Sequence, residues 1–185
     1  LMAELRGETQ KEASSQAETL AEEIKKSKSH IGVRIARNEA AARKYWTIRR
    51  ESFSLLRKKI RGKRTAPFID DFVVPPLRLP EFLPKLEEIL SHYDLTYTVA
   101  GHVGDGNFHI IPLMKIEEKS ERAKLEPAMR EVNELVLKYG GSLSGEHNDG
   151  LIRGPWLEQM YGREITGYFK DLKNIFDPDN IFNPH

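Results

Sequence analysis

The tightest constraint on this chain is the pair Asp105-Gly106, set between two runs of strand-forming residues at 95–103 and 107–113. Asp-Gly suits the positive φ angles that a type I′ hairpin turn demands at both central residues. A two-residue loop at this point makes residues equidistant from the turn face each other, so His102 is expected directly opposite His109 on one face. Cross-strand partners hold their Cβ atoms about 4.5–5.5 Å apart, and two imidazoles at that separation reach one divalent ion. The plain alternative is a coincidental pair of half-exposed histidines. The glycines are not a dinucleotide-binding fingerprint, because a strand rather than a helix follows them.

The rest of the chain carries mainly helical periodicity. An opening strand is read at residues 1–5 and a helix at 8–28, with Ala13, Ala17, Leu20, Ala21 and Ile24 on one face. A second long helix is expected over 38–60, capped by Asn38, with Ala42, Tyr45, Phe53, Leu56 and Ile60 inward. Arg49 falls on that stripe, and an arginine on a buried face needs an anionic partner. A strand at 68–74 stops at Pro75-Pro76, and a short helix at 80–92 turns Leu83, Leu86 and Leu90 inward. A third long helix covers 119–139, with Leu125, Met129, Val132, Val136 and Tyr139 on one face. A glycine-punctuated loop and a last helix at 155–173 complete the order. The pattern is α+β: a small, largely antiparallel sheet of ferredoxin-like type, covered on one side by long helices, with a C-terminal helical segment.

Composition narrows the function. Lys and Arg number 29 against 28 Asp and Glu, a balance unlike the basic excess of a general nucleic-acid binder. Cysteine is absent, which excludes disulfides, thiolate metal sites, iron–sulfur clusters and cysteine nucleophiles. No apolar run reaches the roughly 18–20 residues of a membrane span, and a cytoplasmic location is expected. Residues 57–64 hold six basic side chains, read first as a solvated helix end and second as a docking patch for an acidic membrane surface or an electron acceptor. The abrupt start at Leu1 and the stop at Asn183-Pro184-His185 are expected to be cut boundaries of a larger protein, His185 being a tag remnant.

A second segment, Ser144-Gly145-Glu146-His147-Asn148-Asp149-Gly150, sets a carboxylate beside a histidine in a tightly turning loop. Two His and one Glu form a common three-ligand set for a catalytic metal, leaving a position open for substrate. In that reading Glu146 joins His102 and His109, and His147 is free for proton transfer. A polar connecting loop, with Glu146 as a cap, is the plain alternative.

Three motifs in order resemble a known family. Gly101-His102-Val103-Gly104-Asp105-Gly106-Asn107-Phe108-His109 is similar to the Gly-His-x-Gly-Asp-Gly-Asn-x-His motif of FAD-linked oxidases of the vanillyl-alcohol-oxidase superfamily. Ser144-Gly145-Glu146-His147 with Asp149-Gly150 resembles its Gly-Glu-His-Gly-x-Gly element, and the segment from Phe176 to Pro184 resembles its C-terminal end. Trp46-x-x-Arg49 and Asp71-x-x-x-Pro75 match two weaker elements. The likeness runs to D-lactate dehydrogenases, the glycolate oxidase flavin subunit and D-2-hydroxyglutarate dehydrogenases.

The resemblance implies that residues 1–185 form the C-terminal, substrate-facing domain, with the N-terminal FAD-binding domain outside this chain. It implies His102, His109 and Glu146 as ligands of zinc or manganese, His147 as base, Arg49 as the grip on the substrate carboxylate, and Asn183 near the flavin. The implied reaction oxidises a D-2-hydroxy acid of the D-lactate or glycolate type, passing hydride to FAD and then electrons to an acceptor. Without the FAD domain the chain is expected to be inactive. Asn148 stands where the family commonly has Gly, and Asn tolerates the left-handed conformation. Ile69 occupies the place of a substrate-binding lysine of the hydroxyglutarate branch, which weakens that substrate assignment. A metal-dependent hydrolase and a non-enzymatic, metal-stapled interaction module are the alternatives.

Overall fold

A computed structural model describes residues 1–27 and 31–184, apart from the side chains of Phe53, Arg57 and Lys59. His30, His185 and the placing of Phe53 on its helix therefore lie outside the described residues. The chain divides into two compact units, Leu1–Lys59 and Ile60–His185.

The first unit contains α1 (Gln10–Lys26) and α2 (Glu39–Lys59). Residues 1–5 form no strand, since a short alternating segment cannot hold an extended form without a partner strand. Thr9 Oγ1 accepts from the Glu12 N–H at 3.2 Å and opens α1, and Lys25 and Lys26 suit its C-terminal dipole. Asn38 caps α2 as expected, its Oδ1 accepting from Ala41 N at 2.8 Å. The α1 stripe is half-buried, with Ala21 fully so. Arg49 is exposed rather than buried, its guanidinium 5.9 Å from the Trp46 ring centre. The expected buried face is not closed at this turn, so the arginine stays solvated and needs no anionic partner.

In the second unit, β1 (Arg64–Thr65) and β2 (Ile69–Val73) lie in line along one edge of β4 (Asn107–Met114), and β3 (Thr96–His102) pairs with its other edge. Every pairing is antiparallel. Between β2 and β3 runs α3 (Leu79–His92); after β4 come α4 (Lys119–Arg122) and α5 (Leu125–Lys138). The single helix expected at 119–139 is thus broken at 123–124. Ser142 then bridges antiparallel to Val73, with Val73 N–H to Ser142 O and Ser142 N–H to Val73 O both 2.8 Å. The succession β2-α3-β3-β4-α5-bridge, with spatial order bridge-β2-β4-β3, is the ferredoxin-like arrangement. The α+β expectation holds.

The two long helices cover one face of this sheet. Phe82, Leu86 and Leu90 of α3 and Ala128, Val132 and Val136 of α5 meet Ile69, Phe72, Phe108, Ile110 and Met114. Phe82 rather than Leu83 turns inward, and Leu83 is 38% exposed. Ring centres of Phe72 lie 5.7 Å from Phe82 and 5.9 Å from Phe108. Strand alternation sends His109 to the opposite, uncovered face. The C-terminal part comprises α6 (Gly150–Arg153) and α7 (Leu157–Phe176), the latter kinked at Gly162. Among the described residues no helix is long and apolar enough to cross a membrane.

Candidate metal and proton-transfer site

The hairpin closes differently from the Asp-Gly expectation. His102 pairs with Asn107, and His109 pairs with Ala100. Residues 103–106 form a four-residue loop in which Gly106, at φ 70°, donates its N–H to Val103 O at 3.1 Å. The 3-10 turn over Val103–Asp105 uses only one left-handed residue where a type I′ turn needs two. Two residues are added to the loop, so strand parity is kept. His102 and His109 share a face as diagonal rather than direct neighbours.

A bulge in β2 supplies what the hairpin lacks. Ile69 pairs with Ile110 and Phe72 with Phe108, so Asp70 and Asp71 together stand opposite His109. Asp71 is fully buried and left-handed, at φ 64°. Its carboxylate accepts from the backbone N–H groups of Gly145, Glu146 and His147 at 3.0, 3.0 and 2.8 Å, and from Asn107 Nδ2 at 3.0 Å. Burial pushes its pKa up, but these donors outweigh burial and hold it below the ordinary carboxylate value. Close approach of the loop needs glycine at 145, where a Cβ would fall 2.7 Å from Asn107 Nδ2 and 2.9 Å from Asp71 Oδ1. Arg153 fastens the far side, donating to Asp70 O at 3.1 Å and to Asn148 O at 2.8 Å. Asn148 takes the left-handed form expected of it, at φ 63°.

These restraints bring four predicted site residues together. Glu146 Oε1 lies 3.1 Å from His109 Nε2, 3.5 Å from His102 Nε2 and 3.9 Å from His147 Nε2. The rings of His109 and His147 stack at 4.8 Å with 14° between their planes. Asp70 faces both, its Oδ1 2.8 Å from His109 Nδ1 and its Oδ2 3.2 Å from His147 Nδ1. A carboxylate only accepts, so His109 holds a hydrogen on Nδ1, and in its neutral form the ring turns a bare Nε2 towards Glu146. A bare nitrogen 3.1 Å from a carboxylate oxygen is repulsive unless a proton or a cation lies between them. The donor set of His102, His109 and Glu146 therefore fits a divalent ion. The atoms that lie within 4.8 Å of one another are those of Asp71, His109, Glu146 and His147, a tighter group that leaves His102 outside it. Asp71, however, already spends both oxygens on N–H donors, which makes it an anchor for the loop. A cleft of ≈ 430 Å³ opens beside the cluster, lined by Val73, His102, Asp105, Asn107, Gly145 and Glu146.

Arg49 belongs to the other compact unit, and Asn183 is exposed at φ 48° near the end of the chain. Asp70 and Arg153 were not singled out by sequence reasoning. The signal for Asp70 was the pair Asp70-Asp71 inside an otherwise apolar strand, since two adjacent charges cannot both occupy the solvent side of a regular strand.

The family whose description reads "FAD linked oxidases, C-terminal domain" matches residues 1–185. The chain belongs to this family. Among curated relatives, D-2-hydroxyglutarate dehydrogenase of Haemophilus influenzae is 30% identical over 166 residues, covering 89% of this chain and 16% of that protein. Glycolate oxidase subunit GlcD of Bacillus subtilis is 31% identical over 163 residues, covering 88% and 34%. D-lactate dehydrogenase of Archaeoglobus fulgidus is 32% identical over 114 residues, covering 62% and 25%. The FAD-linked oxidase domain described here thus spans between 16% and 34% of the length of these three relatives.

Proposed function

We propose that this chain is the substrate- and metal-binding domain of an FAD-dependent dehydrogenase acting on D-2-hydroxy acids of the D-lactate or glycolate type. The carrying observation is the convergence of the His102 and His109 Nε2 atoms on a single oxygen of Glu146. A divalent metal held by these three residues supplies Lewis acidity towards a hydroxyl group when bound. FAD, held by a domain outside this chain, supplies the hydride acceptor. His147 takes the hydroxyl proton at Nε2. Its Nδ1 faces Asp70, whose negative charge stabilises the imidazolium formed when the proton arrives. Arg49, exposed on α2, is assigned the substrate carboxylate. Asn183 is assigned to the flavin side.

Ile69 supports the smaller substrates. It is 3% exposed and packed into the helix-side core, so it offers no cation to a second carboxylate. The test is the FAD-containing protein that carries this domain, assayed with D-lactate, glycolate and D-2-hydroxyglutarate against a reducible dye. Turnover of the first two, lowered about 10²–10⁴-fold by His147→Ala, is the expected result. Unchanged turnover in that variant would remove His147 as base.

A further inference from the structure

We infer that Asp70 is a positioning residue that fixes the tautomers of two histidines at once, so that one carboxylate governs both a metal ligand and the base. The inference rests on the site reading given above, and it deepens that reading by adding a residue with a separate job.

Asp70 has two oxygens and spends one on each ring, Oδ1 on His109 Nδ1 and Oδ2 on His147 Nδ1. Neither oxygen can donate, so each neutral ring carries its hydrogen on Nδ1 and exposes its lone pair at Nε2. The rings are also nearly parallel, which lets a single carboxylate serve both. The two lone pairs then open on the side of Glu146, where His109 has a ligand to offer and His147 has a proton to accept. Asp70 is itself held. It is 15% exposed in its side chain, and its backbone carbonyl accepts from Arg153 Nη1 at 3.1 Å. The neighbouring Asp71 fixes the loop that carries His147 through the His147 N–H. Position 147 is thus set by one aspartate through its backbone and by the other through its ring.

Substitution by asparagine gives a distinctive result. The carboxamide keeps one acceptor but turns the other corner into an N–H donor. One histidine can still give its Nδ1 hydrogen to the oxygen; the other must accept at Nδ1 and move its hydrogen to Nε2. Asp70→Asn is therefore expected to switch the tautomer of one ring and spare the other, and Asp70→Ala to release both.

The experiment is nitrogen NMR of the ¹⁵N-histidine-labelled, metal-free chain at about pH 8, above the ordinary histidine pKa of about 6.5. The unsubstituted chain should show His109 and His147 both hydrogenated at Nδ1. A ring that carries its hydrogen on Nε2 and leaves Nδ1 bare in that chain overturns the inference without any variant having to fold. In parallel, Zn²⁺ and Mn²⁺ are titrated into the same samples. Asp70→Asn should bind about 10–100-fold more weakly than the unsubstituted chain, as loss of an orienting carboxylate predicts. Equal affinity together with unchanged tautomers in Asp70→Asn also overturns it. If the unsubstituted chain binds neither ion while both rings keep their Nδ1 hydrogens, the metal reading fails and the tautomer clamp stands.

Discussion

Asp71 shows how much of the site hangs on one side chain that does no chemistry. Three backbone N–H groups of the Glu146 loop and the Asn107 amide end on its carboxylate in the core. Asp71→Ala leaves all of these donors unpaired and is expected to cost about 3 kcal/mol or more, read from chemical denaturation. A cost below about 1 kcal/mol would show that water replaces the carboxylate. Its pKa is lower folded than unfolded because those donors outweigh burial. Such a group stabilises the fold fully above its unfolded pKa, near 3.9, and the contribution is lost as pH falls through the lower, folded value. Acid melting of the unsubstituted chain should therefore steepen below about pH 4, and Asp71→Asn should flatten that limb. Asp177 is shifted the same way, first by the Lys173 side chain and then by the N–H groups of Ile181 and Phe182, and adds to the same limb.

At the level of elements, the hairpin and the helix pair make separate predictions. Gly106 takes φ 70°, and a Cβ there would collide with Val74 O, whose residue is bound to the turn through its N–H at 3.0 Å. Gly106→Ala is expected to cost about 2 kcal/mol and to disorder the His102 end of β3, visible as lost amide protection. The C-terminal end of α3 is linked to the middle of α5 by the Tyr93 hydroxyl, which donates to Glu131 Oε1 at 2.5 Å. That bond, helped by burial and the Glu131 charge, raises the Tyr93 pKa to about 12. A raised pKa stabilises the fold fully below the unfolded value of about 10, and the stabilisation is lost as pH rises through about 12. In an alkaline titration Tyr93 should be among the last tyrosines to ionise, and its early ionisation would count against the link. Most elements were legible because helix and strand periods differ, and the Asn38 cap and the α5 face came straight from spacing. The turn was not, because Asp-Gly at 105–106 permits either a two-residue loop or the end of a four-residue one, and the observed form is tied by Gly106 O to the N–H of Val74, just past β2 and distant in sequence. Arg49 was misplaced for a related reason. Periodicity reports a stripe on α2, but whether another element covers that stripe is decided elsewhere in the chain.

Over the whole molecule, the site draws on three stretches of sequence: β2, the hairpin and the loop after α5. Asp70 and His147 are 77 positions apart, so their contact exists only once the sheet and the Ser142 bridge are complete. Binding of a divalent ion should consequently couple to global stability. Free Zn²⁺ or Mn²⁺ at about 100 times its Kd should add about 2.7 kcal/mol and raise Tm, an effect reversed by chelator and missing in His109→Ala. A Tm indifferent to both ions would detach the cluster from metal. The chain also leaves Tyr168, Leu172, Ile175 and Phe176 of α7 more than half exposed, at spacings that share one helix face. Finally, the irregular pairing of β2 means that fold and chemistry compete for the same few ångströms of backbone. Removing either aspartate would restore ordinary alternation, with Ile69 and Phe72 still facing the core and one acid left on the open side. A chain shortened by that one position would make a more regular sheet, its remaining carboxylate asked to choose between steadying the loop and aiming the imidazoles.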